Sequence, residues 1–175
     1  MPHPELDAEE LLHLALHATR DGRTDNAITY LKQAIALEED NPWTHYLLGA
    51  QYAELQMYHR AIASMEKSMS LDNTIPIVAF QLGLLYGVTN QEEDAKRIWS
   101  VLDTIETDEA IGLFKDAMLA LMNGELTSAE KLVNRGIELN KGNPALSKDM
   151  KRIVADVLAR DKESTVSELV ESEPD

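Results

Sequence analysis

His13 and His17 stand one helical turn apart, a spacing at which two imidazoles on one helix face can share a metal ion. Protein zinc sites take at least three side-chain ligands, and no third ligand accompanies this pair, so no metal site is expected. Carboxylates are abundant, but Glu9, Glu10, Glu38, Glu39, Asp40, Glu92, Glu93 and Asp94 cluster near expected helix starts and turns. There they favour the helix dipole or stay solvated, which suits them poorly to acid/base work. No phosphate-cradling glycine loop or nucleophile elbow is present. The chain has no cysteine, which removes disulfides, thiol nucleophiles, iron–sulfur sites and lipidated cysteine anchors. No catalytic residue and no cofactor site are predicted, and the chain reads as non-enzymatic.

The elements that carry these residues follow one period. Alanine recurs at 27, 61, 95 and 129, each 34 residues after the last. Leu48, Gly49 and Tyr52 reappear as Leu82, Gly83 and Tyr86. Pro42 and Pro76 share the spacing, and Pro144 lies three periods after Pro42, with Ala110 in the missing place. Gly22 and Gly124 precede Ala27 and Ala129 by five residues, where one helix should turn into the next. Leu37, Leu71, Ile105 and Leu139 close each unit. A unit of this length cannot bury its own apolar face and must stack on copies of itself.

At these residues the chain resembles the tetratricopeptide repeat family, whose helix-turn-helix unit carries a W-x2-L-G-x2-Y … A-x3-F … P pattern. The best copies are His45-x2-Leu48-Gly49-x2-Tyr52 with Ala61-x3-Met65, and Ala79-x2-Leu82-Gly83-x2-Tyr86 with Ala95-x3-Trp99. The resemblance covers four units, 8–41, 42–75, 76–109 and 110–143, of which the middle two match best. In the fourth, Asp116 stands where the family has leucine. The fold class implied is all-α, a right-handed superhelical solenoid of 34-residue repeats.

Packing chemistry agrees with that expectation. Ala15, Gly49, Gly83 and Ala117 are small where a first helix must meet its second, and Ala27, Ala61, Ala95 and Ala129 are small on the second helix. Larger residues such as Leu14, Leu31, Leu48, Tyr52, Leu82, Tyr86 and Trp99 recur at helical spacing between them. Pro42, Pro76 and Pro144 suit a first helical turn, and Asn41 and Asn143 precede two of them as N-caps. From Pro144 to about Arg160 the pattern predicts one capping helix, with Leu146, Met150, Ile153, Val154, Val157 and Leu158 on one side. Residues 1–160 are expected to form one domain. Residues 161–175, with six acids against Lys162, are expected to be a disordered acidic tail.

The net charge of −15 repels nucleic acid and anionic lipid, both of which need clustered Lys and Arg. Lys148, Lys151 and Arg152 make only a small basic spot. Acidity serves solubility or attracts a basic partner. The N-terminus, Met1-Pro2-His3-Pro4-Glu5-Leu6-Asp7, lacks the basic-then-apolar order of a signal peptide, and no segment is apolar enough to insert in a membrane. The expected location is the cytoplasm.

The resemblance also implies where partners bind. In the family, the second, fifth, ninth, twelfth and thirteenth positions of each repeat line a concave groove. Here they include Leu12 and Leu16; Trp43 and Tyr46; Ile77, Phe80, Leu84 and Val88; and Ile111, Phe114, Met118 and Met122. Most groove positions are apolar. Relatives that grip the acidic C-terminus of heat-shock chaperones do so with Lys, Asn and Arg, but the corresponding places are Leu12, Leu16, Leu47, Ile77 and Gln81. No carboxylate clamp is therefore expected. An apolar groove suits an amphipathic helix or an extended apolar segment.

Three uses of the stripe remain open at this point: a groove for another protein, self-association into a homo-oligomer, or closed packing with no groove. The leading function is an adaptor or scaffold binding a protein or peptide. The alternatives are a chaperone that shields hydrophobic clients, as small acidic repeat proteins do in type III secretion, and a self-associating assembly scaffold.

Overall fold

A computed structural model of the protein describes residues 6–171, with side chains described through residue 163. The beginning of the N-terminal segment read against a signal peptide, residues 1–5, and the end of the acidic tail, 172–175, lie outside the described residues. Those residues contain nine α-helices, one short 3-10 helix and no strand. They are α1 (Ala8–Arg20), α2 (Thr24–Leu37), α3 (Pro42–Glu54), α4 (Tyr58–Leu71), α5 (Pro76–Val88), α6 (Glu92–Ser100), the 3-10 helix Val101–Asp103, α7 (Glu109–Met122), α8 (Leu126–Leu139) and α9 (Pro144–Glu171). The architecture is an all-α helical repeat solenoid. The chain divides into two compact units, Met1–Glu106 and Thr107–Asp175.

Four helix starts, those of α1, α3, α7 and α9, are capped by a side chain. Asp7 and Glu10 form a capping box: Glu10 N–H donates to Asp7 at 2.8 Å, and Asp7 N–H donates to Glu10 at 3.0 Å. The Asn41 side chain accepts from the amides of Trp43 and Thr44, and Pro42 occupies the first turn. Asn143 accepts from Leu146 N–H at 3.1 Å, so both predicted asparagine caps form. Asp108 caps α7 through Ala110 N–H.

Between the two helices of every repeat the chain makes the same turn. Gly22, Gln56, Asn90 and Gly124 all adopt left-handed backbone, with φ of 69, 57, 59 and 75°. The amide of the following residue then donates five residues back, Arg23 to Ala18, Met57 to Tyr52, Gln91 to Tyr86 and Glu125 to Ala120, each at 2.8 Å. This closure satisfies carbonyls that the first helix leaves open at its end.

In the N-terminal unit, each of α1 to α5 packs on the next helix, and α6 on the 3-10 turn. Ala27, Ala61 and Ala95 are fully buried there. A side chain at Gly49 would lie 2.7 Å from Met65 Cγ, and one at Gly83 would overlap the Trp99 indole. Thr44, Leu48 and Gln51 of α3 and Val78, Leu82 and Leu85 of α5 are buried, whereas their counterparts Glu10, Leu14 and His17 are exposed. Two of those three are hydrophilic, so α1 presents water with a face that later first helices bury. The last second helix of this unit is shortened. Leu102 replaces the small residues Ala34, Ser68 and Gly136 of its column, and here α6 gives way to the 3-10 turn with Leu102 buried.

In the C-terminal unit, α7 packs on α8 and α8 on α9. The ring of Phe114 takes the space beside Gly136, which has no room for a side chain. Asp116, in the column of Leu48 and Leu82, is exposed and pairs with Lys115 at 3.3 Å. Helix α9 buries Leu146, Met150 and Val154. Its Lys151 stands in the column of Ala15, Gly49, Gly83 and Ala117, and is exposed. A lysine there offers no seat for a further second helix, so the repeat pattern ends. The helix expected to stop near Arg160 instead continues to Glu171, because neither proline nor glycine follows Pro144 within it to break it.

Candidate partner-binding face

The first helices of the N-terminal unit bring seven of the predicted groove residues onto partly open surface. Leu12 and Leu16 of α1, Tyr46 of α3, and Ile77 and Leu84 of α5 are half-buried. Trp43 is 49% exposed and Val88 57%. Trp43 and Tyr46 meet edge to face, ring centres 5.8 Å apart. Burial pushes the Tyr46 hydroxyl up to about 12, partly offset by its hydrogen bond to Gln81. That bond links α3 to α5.

Phe80 does not belong to this surface. It is fully buried, its ring stacked on Trp99 at 6.4 Å, and the Trp99 indole N–H donates to the Phe80 carbonyl at 3.0 Å. The correction has a steric reason: the indole lies over Gly83, and the space beside it is filled by the aromatic ring at 80. In the C-terminal unit, Ile111 and Met122 are half-buried, but Phe114 and Met118 are core. Phe114 turns inward because Gly136 leaves it a ring-sized space.

The side chains with chemical potential are dispersed. His13 approaches Glu9 at 3.9 Å and His17 approaches Asp21 at 3.7 Å, all exposed. Among the described residues no three His, Asp or Glu gather as metal ligands. Tyr86 donates to Glu66 at 2.5 Å; burial, then this carboxylate, holds its hydroxyl well above the usual tyrosine range. The pair links α5 to α4 as part of the scaffold.

Charge is unevenly placed around the apolar face. Helices α3 and α5 carry no Lys or Arg, and α1 carries only Arg20. Lys32 and Arg60, on second helices, both lie over the Tyr52 ring, at 6.0 and 5.8 Å from its centre. Arg23, Lys96 and Arg97 pair with Asp21, Glu93 and Asp94. Sequence reasoning missed one feature here. Leu37 is 58% exposed and lines an open depression with Glu38, Glu39, Asp40, Asn41 and Pro42, immediately before Trp43. Its place among the unit-closing residues Leu71, Ile105 and Leu139 suggested packing, and only its acidic neighbours hinted otherwise.

A TPR repeat model matches residues 19–56 and a tetratricopeptide repeat model matches residues 44–75. The chain carries tetratricopeptide repeats over residues 19–75. Its fold is similar to that of a tetratricopeptide repeat protein from Parabacteroides merdae, with a TM-score of 0.69 and 17% identity, covering 99% of this chain and 68% of that one. It also resembles the second TPR of Spaghetti (RPAP3) bound to the HSP90 peptide SRMEEVD, with a TM-score of 0.55 and 17% identity, over 57% of this chain and 93% of that one. Among curated proteins, human cell division cycle protein 16 homolog is 26% identical over 109 residues, which are 62% of this chain. The match spans 18% of that protein's length. No helix among the described residues is long and apolar enough to cross a membrane.

Proposed function

We propose that this tetratricopeptide repeat chain is a non-enzymatic scaffold that takes a hydrophobic or amphipathic segment of a partner protein. The repeats themselves indicate a protein–protein interaction scaffold. The observation that supports the finer reading is the first-helix face of residues 1–106, where Trp43 and Val88 are about half exposed amid half-buried apolar neighbours. Exposed aromatic side chains backed by a rigid scaffold are the usual anchors of protein interfaces. The absence of Lys and Arg from α3 and α5 argues against capture of an acidic C-terminus.

Two substitutions test this reading without touching the core. Trp43→Ala and Val88→Asp should each lose captured partners from native lysate while circular dichroism stays that of the wild type. Equal capture by wild type and both variants refutes the face. The peptide SRMEEVD, bound by the RPAP3 repeat, should show no saturable binding here. Micromolar affinity for it would restore a carboxylate clamp and overturn the apolar reading.

A further inference from the structure

We propose that the segment seated on the first-helix face is cationic as well as amphipathic, with Lys or Arg along the flank that meets the loop between α2 and α3. The inference rests on the functional reading above and adds the chemical class of the partner. Its basis is charge complementarity. The loop presents three successive exposed carboxylates, Glu38, Glu39 and Asp40. No Lys or Arg pairs with any of them among the described residues. The backbone that carries them is fixed: the His45 ring N–H donates to the Glu39 carbonyl at 2.8 Å, and Asn41 caps α3 one residue beyond Asp40.

The loop backbone is therefore held just before α3, and its acids precede the exposed Trp43 in the chain by three to five residues. Beside them Leu37 is exposed, so the flank offers an apolar contact and negative charge together. An aromatic ring adjoining carboxylates favours a cation through both its quadrupole and its neighbours. An anionic partner would meet net repulsion, since every cation of this unit except Arg20 at the end of α1 lies on a second helix or pairs locally. A net charge of −15 adds long-range attraction for a basic segment.

The test uses the full chain and three labelled model peptides of about 18 residues, some five helical turns. One has a leucine stripe flanked by lysines, the second the same stripe flanked by glutamates, and the third lysines with alanine in place of leucine. At about 0.15 M salt the Leu/Lys peptide should bind about tenfold more tightly than Leu/Glu. Raising the salt should narrow that gap. Replacing the acids together (Glu38→Gln, Glu39→Gln, Asp40→Asn) should weaken Leu/Lys binding several-fold and leave Leu/Glu unchanged or tighter.

Trp43→Ala should weaken both leucine peptides, and the Ala/Lys peptide should bind poorly. Equal binding of the two leucine peptides, both sensitive to Trp43→Ala, would leave the face standing and overturn the cationic partner. Binding of Ala/Lys as tight as Leu/Lys would reduce the attraction to charge alone and overturn it too. If no peptide binds in a way that Trp43→Ala or Val88→Asp changes, the face itself is wrong. The replaced acids are exposed, and the salt series on the unaltered chain gives an independent reading of the same charge.

Discussion

The indole of Trp99 occupies the space that a side chain at Gly83 would need. The ring is rigid and pinned by its hydrogen bond to the Phe80 carbonyl, so it has nowhere to move without orphaning its own buried N–H. Gly83→Ala should therefore lower stability by about 2–3 kcal/mol, although alanine is the better helix former. Gly49→Ala should cost less, because its nearest neighbour is Cγ of a flexible Met65 at 2.7 Å. Chemical unfolding midpoints of the two variants check the order. Equal loss would mean that backbone approach, common to both sites, outweighs the side chains.

The turn column predicts stabilisation. Gln56 and Asn90 hold the same left-handed backbone as Gly22 and Gly124, without glycine's freedom to do so. Gln56→Gly should raise stability by about 1 kcal/mol, and Asn90→Gly by less, since asparagine tolerates this region better. Gly22→Ala should cost a similar amount in the other direction. The melting temperatures of the three variants test the column.

That column also shows what the sequence could and could not reveal. Gly22 and Gly124 marked the turn by residue type; Gln56 and Asn90 occupy the same place invisibly, because the hydrogen bond five residues back dictates their backbone. The period was legible because helix–helix contact demands small residues at fixed intervals, from Ala27 to Ala129. The open face was legible only in part. The fifth column holds Leu12, Tyr46, Phe80 and Phe114, and the first two stay half-open while the last two turn inward. The difference lies in what stands opposite, an indole for Phe80 and a glycine for Phe114, and position within the repeat does not encode that. Leu102 likewise shortens α6 through a size mismatch visible only once its column is known to be buried.

The division between core and face gives a direct contrast. Phe80→Ala should cost about 3–5 kcal/mol, the loss of a buried ring with a cavity left behind. Trp43→Ala should stay within about 0.5 kcal/mol of wild type, because its ring is half in water. Measured in the same denaturant series, a large loss at Trp43 would make it a structural residue and remove the anchor of the proposed face.

The two buried tyrosine hydroxyls set an alkaline limit. Burial raises Tyr46 to about 12, and burial with the Glu66 carboxylate raises Tyr86. Unfolded, both would ionise near about pH 10. Between those values the folded chain holds protons that the unfolded chain has released, so stability falls as pH rises. Their contribution is complete below about pH 10 and falls as pH rises, through about pH 12 for Tyr46 and beyond that for Tyr86. The melting temperature should drop over that window, and two of the five tyrosines should titrate late in the tyrosinate absorbance. The double variant Tyr46→Phe, Tyr86→Phe should begin less stable, having left Glu66 and Gln81 without their partners, and should show a shallower alkaline decline. If its decline is as steep as that of the wild type, other groups govern the alkaline transition and the two hydroxyls are more open to water than their burial implies.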